Sequence, residues 1–181
     1  PFPAALHTAI GIYREVCATL GDAPLTISGE SAGGGLACAV VQFAMSNGLR
    51  TPDAILLFSP WVDLSVPDSP VKDPTLDLEA VEAFSKLYAG DTPLHDPRVS
   101  PLLGPIPSDW PPTYLSTAQY DYLRPMVEDL HQKLQAANVP CRYFDAPHGW
   151  HVFELYDELR QAALSLRAAA DFVDQALTSS P

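Results

Sequence analysis

Five consecutive residues, Gly29-Glu30-Ser31-Ala32-Gly33, form a G-x-S-x-G pattern in which the serine could act as a nucleophile. A short apolar run at 24–28 precedes the pattern and predicts a buried strand, and an Ala- and Gly-rich stretch at 32–46 predicts a helix after it. At such a turn a strained backbone lifts the serine Oγ above the end of the sheet. The backbone N–H of Ala32 would then face a developing oxyanion. The pattern predicts acyl-transfer chemistry, and a glycine-rich turn before a packed helix is the plain alternative.

A serine of this kind needs a general base and a carboxylate that orients the base. In the strand–turn–helix context the order along the chain is serine, carboxylate, histidine. Asp121 follows an apolar run at 113–118, and both His148 and His151 follow another at 139–144. Because the carboxyl ends of parallel strands meet at one edge of a sheet, we expect these side chains near Ser31. The residues alone leave the choice between the two histidines open.

The elements that must position these residues alternate between strand and helix patterns. This alternation predicts an α/β fold with a mainly parallel sheet and helices on both faces. Strands are predicted at 24–28, 54–58, 113–118 and 139–144. Helices are predicted at 3–20, 32–46, 76–88, 125–137 and 153–177.

Composition excludes several classes of function. The 181 residues include 22 acidic and 10 basic side chains, so the formal net charge is −12. Such a surface repels phosphate backbones and anionic lipid, and no apolar run approaches the roughly 20 residues that cross a bilayer. We therefore expect no nucleic-acid partner and no stable membrane insertion. The cysteines are too widely spaced for a disulfide framework or a metal site, and we expect buried free thiols at Cys17, Cys38 and Cys141.

Several segments resemble blocks of the hormone-sensitive-lipase-like esterases, a family of the α/β-hydrolase superfamily. Gly29-Glu-Ser-Ala-Gly-Gly34 is similar to that family's nucleophile elbow, and Gly149-Trp-His-Val-Phe153 to its histidine block. Similar blocks lie between them, at Ser59-Pro-Trp-Val-Asp-Leu-Ser65, Asp96-Pro-Arg-Val-Ser-Pro-Leu102 and Tyr120-Asp-Tyr-Leu123. The resemblance covers essentially the whole chain. It implies an α/β-hydrolase catalytic domain over 1–181, with 66–94 as a cap-like insertion over the site.

The resemblance implies Ser31 as the nucleophile, Asp121 as the acid and His151 as the base. Glycines at 29 and 33 would let the elbow strand and its helix pass closely, and Ala32 would donate to the oxyanion. His148 remains an alternative base, because His148-Gly149 resembles another form of the histidine block. The family's interval from acid to histidine favours His151. Asp63 is an alternative acid and otherwise structures its loop.

The implied activity is hydrolysis of carboxylic esters with small to medium acyl chains, through an acyl-enzyme and without a cofactor. The partner would be a small-molecule ester, and an oligomer is compatible with the sequence. Within the cap-like segment, the apolar candidates for the acyl pocket are Leu76, Leu78, Val81, Phe84 and Leu87.

One feature of the family is missing from this sequence. The family carries a His-Gly-Gly box upstream of the elbow, and its backbone N–H groups supply most of the oxyanion hole. No His-Gly-Gly occurs in these residues. We therefore expect the C-terminal portion of a longer esterase, without its N-terminal strands. Alone it should be nearly inactive, and its apolar edge at 25–28 should associate with other chains.

Other functions remain open at this point. The chain could be a catalytically incompetent fragment or a ligand-binding module on the same fold, or a serine peptidase of the superfamily. A metal enzyme could use Asp145, His148, His151 and Glu154, but Pro147 and Gly149 interrupt any helix that would align them, so no metal site is expected. A cytoplasmic location is favoured, although the sequence does not fix the compartment.

Overall fold

The computed structural model describes residues 1–65, 69 and 71–178. The start of the predicted cap-like insertion, at 66–68 and 70, therefore lies outside the described residues. Within the described ranges helices and strands alternate in the order α1 (Ala4–Leu20), β1 (Thr26–Glu30), α2 (Ser31–Ser46), β2 (Ala54–Phe58), α3 (Leu78–Ala89), β3 (Thr113–Ala118), α4 (Arg124–Ala136), β4 (Cys141–Ala146) and α5 (Arg160–Thr178). Short 3-10 turns lie at Pro101–Leu103 and Phe153–Leu155.

The four strands form one parallel sheet in the order β1-β2-β3-β4. Each strand therefore needs a crossover to the next, and α2, α3 and α4 lie in the three connections. The central strand β3 is buried along its whole length, as expected of a strand covered on both faces. The predicted parallel α/β sheet is confirmed.

Alternate residues along the strands contact helices on opposite faces of the sheet. On one face Ile55, Leu57 and Leu115 share a core with the buried sides of α2 and α4. On the other face Ala54 and Tyr114 pack against α5. Across the described ranges, no helix combines the length and apolarity needed to cross a membrane.

The N-terminal helix α1 packs against α2 near one edge of the sheet. Leu6, Ile10 and Tyr13 bury their side chains there, and the Tyr13 hydroxyl donates to the carbonyl of Arg50 at 2.8 Å. In the described part of the chain, β1 pairs with β2 on one side only. Beside this edge, α1, α2 and β1 line an apolar groove of about 440 Å³.

The last helix differs from its prediction. Apolar residues recur at helical spacing from Phe153, yet α5 begins at Arg160. Val152 takes a left-handed conformation (φ 48°), which a helix does not continue through. The 3-10 turn that follows buries Phe153 and Glu154 against the sheet instead. These two residues hold the preceding loop close to β3, which a helix starting at 153 would not do.

Candidate active site

Ser31 lies where β1 ends and α2 begins, at the predicted turn. Its φ is 49°, in the left-handed region that a residue with a side chain adopts only at a cost of roughly 1–3 kcal/mol. The Ser31 carbonyl accepts a hydrogen bond from the backbone N–H of Trp61 at 2.7 Å, which holds the turn against the loop after β2. Ala32 is the second residue of α2, where backbone N–H groups have no acceptor within the helix.

The glycines around this turn have different reasons to be glycine. A Cβ on Gly29 would lie 2.3 Å from the carbonyl oxygen of Gly33, so the expected crowding exists at that position. The expectation fails for Gly33, where a Cβ would meet no described atom within 4 Å. The crowding on the helix side falls instead on Gly34 and Gly35, which would press on Pro60 and on the Trp61 carbonyl oxygen at 2.6 and 2.1 Å. The loop after β2, and not the elbow strand, sets these two positions.

The structure brings Ser31, His151 and Asp121 together in one line of hydrogen bonds. His151 Nε2 lies 2.8 Å from Ser31 Oγ, and His151 Nδ1 lies 3.0 Å from Asp121 Oδ1. Asp121 is fully buried and His151 is 8% exposed. With Asp121 accepting from the Nδ1 proton, Nε2 carries the lone pair that can accept the serine proton.

Asp121 is held in place by its own loop. Its Oδ1 also accepts from the backbone N–H of Leu123 at 2.9 Å, and its Oδ2 accepts from the Thr117 hydroxyl at 3.1 Å. Thr117 lies near the end of β3, so the carboxylate is fixed to the sheet as well as to the turn. A carboxylate with these donors cannot rotate away from His151 without losing them.

The alternative residues lie elsewhere. His148 is exposed, its ring lies against Tyr120 with ring centroids 6.4 Å apart, and its backbone N–H donates to Gln119. The Asp63 carboxylate accepts from the backbone N–H and hydroxyl of Ser65 at 2.8 and 2.6 Å, in a local turn.

The four residues considered for a metal are turned toward different partners. Asp145 pairs with Arg124 at 2.7 Å, and Glu154 accepts from two serine hydroxyls. In the ranges that the structure describes, no group of three or more His, Cys, Asp or Glu side chains is arranged to hold a metal ion.

Two further side chains hold the backbone on either side of the His151 ring. The N–H of His151 donates to Asp73 Oδ2, and the N–H of Val152 donates to Ser59 Oγ, both at 3.1 Å. Ser59 is fully buried with a φ of 44°. The sequence predicted no role at the site for either residue. Ser59 begins the block Ser59-Pro-Trp-Val-Asp-Leu-Ser65, which resembles the esterase family, and an Asp two positions before a Thr signals only a local turn for Asp73.

Glu154 forms a buried polar cluster behind the same loop. Its Oε1 accepts from the hydroxyls of Ser116 and Ser165 at 2.6 and 2.7 Å. Its Oε2 is buried and has no hydrogen-bond partner among the described residues. Burial raises the pKa of Glu154 above its ordinary value, while the two serine bonds act in the opposite direction.

Ser31 opens into an apolar cleft of about 410 Å³. Its walls include Trp61, Leu123 and three residues of the predicted cap-like segment, Leu76, Val81 and Phe84. Two other apolar candidates of that segment, Leu78 and Leu87, are exposed.

A second cavity of about 320 Å³ shares Ala32, Trp61 and Phe84 with the cleft and adjoins it. Another cavity, of about 570 Å³, lies between α1, α2 and the loop near Pro105, away from Ser31. Its position gives it no part in chemistry at the serine.

Known proteins share this arrangement of elements. The sequence model of the alpha/beta hydrolase fold matches residues 1–155. Esterase LipI of Mycobacterium tuberculosis is 34% identical over 167 residues, which cover 83% of this chain and 51% of that protein. An acetyl-hydrolase of Streptomyces hygroscopicus is 29% identical over 163 residues, 86% of this chain and 54% of that protein. The chain thus spans about half the length of these curated relatives.

Solved structures extend the similarity to three dimensions. The crystal structure of EstE7, a homologue of hormone-sensitive lipase from a metagenome library, superposes with a TM-score of 0.91 at 27% identity. The superposition covers 97% of this chain and 63% of that one. With the family model matching most of its length, the chain belongs to the alpha/beta hydrolase fold family and is hormone-sensitive-lipase-like within it.

Proposed function

We propose that the protein hydrolyses carboxylic esters through an acyl-enzyme on Ser31, with His151 as the general base and Asp121 as the residue that orients it. One observation carries the proposal. The hydroxyl, imidazole and carboxylate lie in hydrogen-bonding sequence, at 2.8 and 3.0 Å, at the mouth of an apolar cleft. Relatives named as an esterase and an acetyl-hydrolase support the same reaction class.

The positions of these atoms support the following proposed steps. Ser31 Oγ attacks the acyl carbon as its proton passes to His151 Nε2, and the Asp121 carboxylate stabilises the imidazolium that forms. The carbonyl oxygen becomes an oxyanion, to which the Ala32 N–H donates. The ester C–O bond then breaks, and the alcohol leaves with the proton from Nε2. Water repeats the sequence on the acyl-enzyme, which releases the carboxylic acid and restores Ser31.

The cleft indicates the kind of ester. Its walls are mostly apolar, with Thr75 and Asp77 as polar lining residues, and the adjoining cavity continues past Trp61 and Phe84. The net charge of −12 disfavours anionic substrates. We therefore propose uncharged esters with small to medium acyl chains, which an apolar cleft of this size holds by burial of their hydrocarbon.

The same geometry supports the proposed division of the chain. Residues 1–181 contribute one α/β-hydrolase catalytic domain, and the segment 66–94 acts as a cap over the site. Of that segment, the described helix α3 contributes Ala80, Val81 and Phe84 to the cleft wall.

The first test changes the proposed nucleophile in the full-length protein. We expect Ser31→Ala to abolish covalent labelling by a fluorophosphonate and to abolish ester turnover, because the attacking oxygen is gone. Intact-mass and peptide mass spectrometry of the labelled wild type should place the adduct on Ser31. Cys38 and Cys141 are poor competitors for the probe, because burial raises the pKa of each thiol to about 12.

The matched control is Ser46→Ala, an exposed serine at the far end of the same helix. It should label and turn over like the wild type. Persistent labelling of Ser31→Ala would refute the nucleophile. A folded full-length wild type that neither labels nor turns over would instead favour the ligand-binding module.

A further inference from the structure

The carboxylate of Asp73 connects three segments that are far apart in sequence. Its Oδ2 accepts from the backbone N–H of Tyr122 and from that of His151, each at 3.1 Å. One oxygen atom therefore joins the loop that carries Asp121 to the loop that carries His151. These are the two loops that must keep a 3.0 Å contact between carboxylate and imidazole.

The other oxygen of Asp73 holds the wall of the cleft. Oδ1 accepts from the backbone N–H and hydroxyl of Thr75, both at 2.7 Å, and from the N–H of Leu76 at 3.2 Å. Thr75 and Leu76 line the cleft beside Ser31. Because both oxygens belong to one rigid carboxylate, a shift of this wall moves the hydrogen bonds to the acid and base loops as well.

We propose that Asp73 is a positioning residue, which sets the alignment of Asp121 with His151 and couples that alignment to the wall of the substrate cleft. The inference rests on the proposed ester hydrolysis. It goes further, because it assigns the proton-transfer geometry to a residue of the cap-like segment that touches neither the substrate nor the reacting atoms.

Asp73→Asn tests the inference, because the amide has a single acceptor oxygen and presents an N–H₂ group to N–H donors on the other side. The variant must therefore give up one set of hydrogen bonds. We expect kcat to fall roughly 10- to 100-fold, the cost of a misaligned base, while KM changes far less.

The pH profile separates positioning from general support of the fold. The acid limb of kcat/KM reports the protonation of the base in the free enzyme. A looser bond from Asp121 stabilises the imidazolium less, so we expect the acid limb of Asp73→Asn to move to lower pH. A loss of folded protein alone would lower the amplitude of the profile and leave the limb in place.

Asp63→Asn is the matched control, because Asp63 forms the same turn with Ser65 that Asp73 forms with Thr75. The hydrogen bonds of the Asp63 carboxylate end within that turn, and the substitution leaves the Asp63 carbonyl, which accepts from the Trp61 indole, in place. We expect Asp63→Asn to keep the kcat and the acid limb of the wild type. If both variants changed kcat alike, the effect would belong to the turn, and the inference about Asp73 would be overturned.

A measurement on the wild type keeps the inference testable if Asp73→Asn does not fold. Hydrogen exchange by NMR in the full chain should show the N–H groups of Tyr122 and His151 protected against exchange. If both N–H groups exchanged at the rate of an unstructured peptide, the proposed hydrogen bonds to Asp73 would be absent and the inference would be overturned. A full-length wild type without turnover would refute the proposed function, whereas an active full-length wild type with an Asp73→Asn variant of unchanged kcat and pH profile would refute only the role of Asp73.

Discussion

Two buried carboxyl groups lie beside the histidine loop, in opposite surroundings. Asp121 receives hydrogen bonds on both oxygens, from Thr117, Leu123 and the His151 ring. Glu154 receives both of its hydrogen bonds on one oxygen and leaves the other buried without a partner among the described residues. Burial raises the pKa of Glu154 above its ordinary value, because the oxygen without a partner has lost its water.

Glu154→Gln is predicted to change the pH dependence of stability. Burial raises the pKa of Glu154 in the folded state above the ordinary value of about 4.3. The folded state therefore binds this proton more tightly than the unfolded state. Its contribution to stability is complete below the ordinary pKa and is lost as pH rises through the raised one. Glutamine does not titrate and so does not lose this contribution. The free energy of unfolding of Glu154→Gln should therefore rise relative to that of the wild type as pH rises from about 4 toward neutrality.

Urea unfolding of both proteins across this pH range measures the difference in free energy of unfolding. Glu158→Gln, on an exposed glutamate of the same segment, is the control for loss of a side-chain charge. A difference between wild type and Glu154→Gln that stays constant across the range would contradict the prediction.

At the scale of elements, the start of α2 is fixed by close approaches on two sides. A Cβ at Gly29 would strike the Gly33 carbonyl, and one at Gly35 would strike the Trp61 carbonyl. We predict that Gly29→Ala and Gly35→Ala each lower the free energy of unfolding by about 1–3 kcal/mol, because backbone must move to make room. Gly33→Ala should change it by less than about 1 kcal/mol, since the position is open and helical.

Chemical unfolding of the three alanine variants measures these free energies. If Gly33→Ala were as unstable as Gly35→Ala, position 33 would be crowded as well. That result would contradict the prediction that the crowding on the helix side falls on Gly34 and Gly35.

Much of this fold could be predicted from the order of apolar runs, and less of it from their ends. The run at 139–144 predicted β4, yet the strand is Cys141–Ala146, because pairing with β3 decides where a strand starts and stops. The start of α5 was wrong for a related reason. Leu155 continues the helical spacing of the apolar residues that follow it, but the buried contacts of Phe153 and Glu154 hold 153–155 in the 3-10 turn.

The site residues that directly follow a predicted strand could be predicted from the sequence. Ser31 and Asp121 follow predicted strands, and their placement pointed to them before any family resemblance was used. Spacing within one loop did not separate His148 from His151, so that choice depended on the resemblance. The sequence around Asp73 signals only a local turn, and nothing in it indicates the two backbone partners, which lie 49 and 78 positions away. The catalytic roles remain predictions until the serine is labelled.

At the scale of the whole molecule, the unpaired edge of β1 in the described part of the chain bears on whether the chain associates. β1 pairs only with β2 in the described part of the chain, next to an apolar groove lined by α1 and α2. We predict that the 181-residue chain by itself associates through this edge, because unpaired strand groups beside an apolar surface template further pairing. Light scattering after size exclusion, over a range of concentrations, measures the association.

Ser28→Lys, which adds a charge to the exposed side of β1, should reduce this association, and Ser28→Thr should leave it unchanged. A wild-type chain that stays monomeric at every concentration would argue against the edge as an association surface.

The line of hydrogen bonds also spans the described sheet from edge to edge. Ser31 follows β1 and His151 follows β4, strands separated by three spacings or roughly 14 Å. The turn at Ser31 and the histidine loop close that span to a single 2.8 Å contact. Any slip between neighbouring strands would reopen it. Turnover therefore depends on the intact pairing of all four strands. On heating, the midpoint temperature for loss of activity should equal the midpoint temperature for loss of tertiary structure.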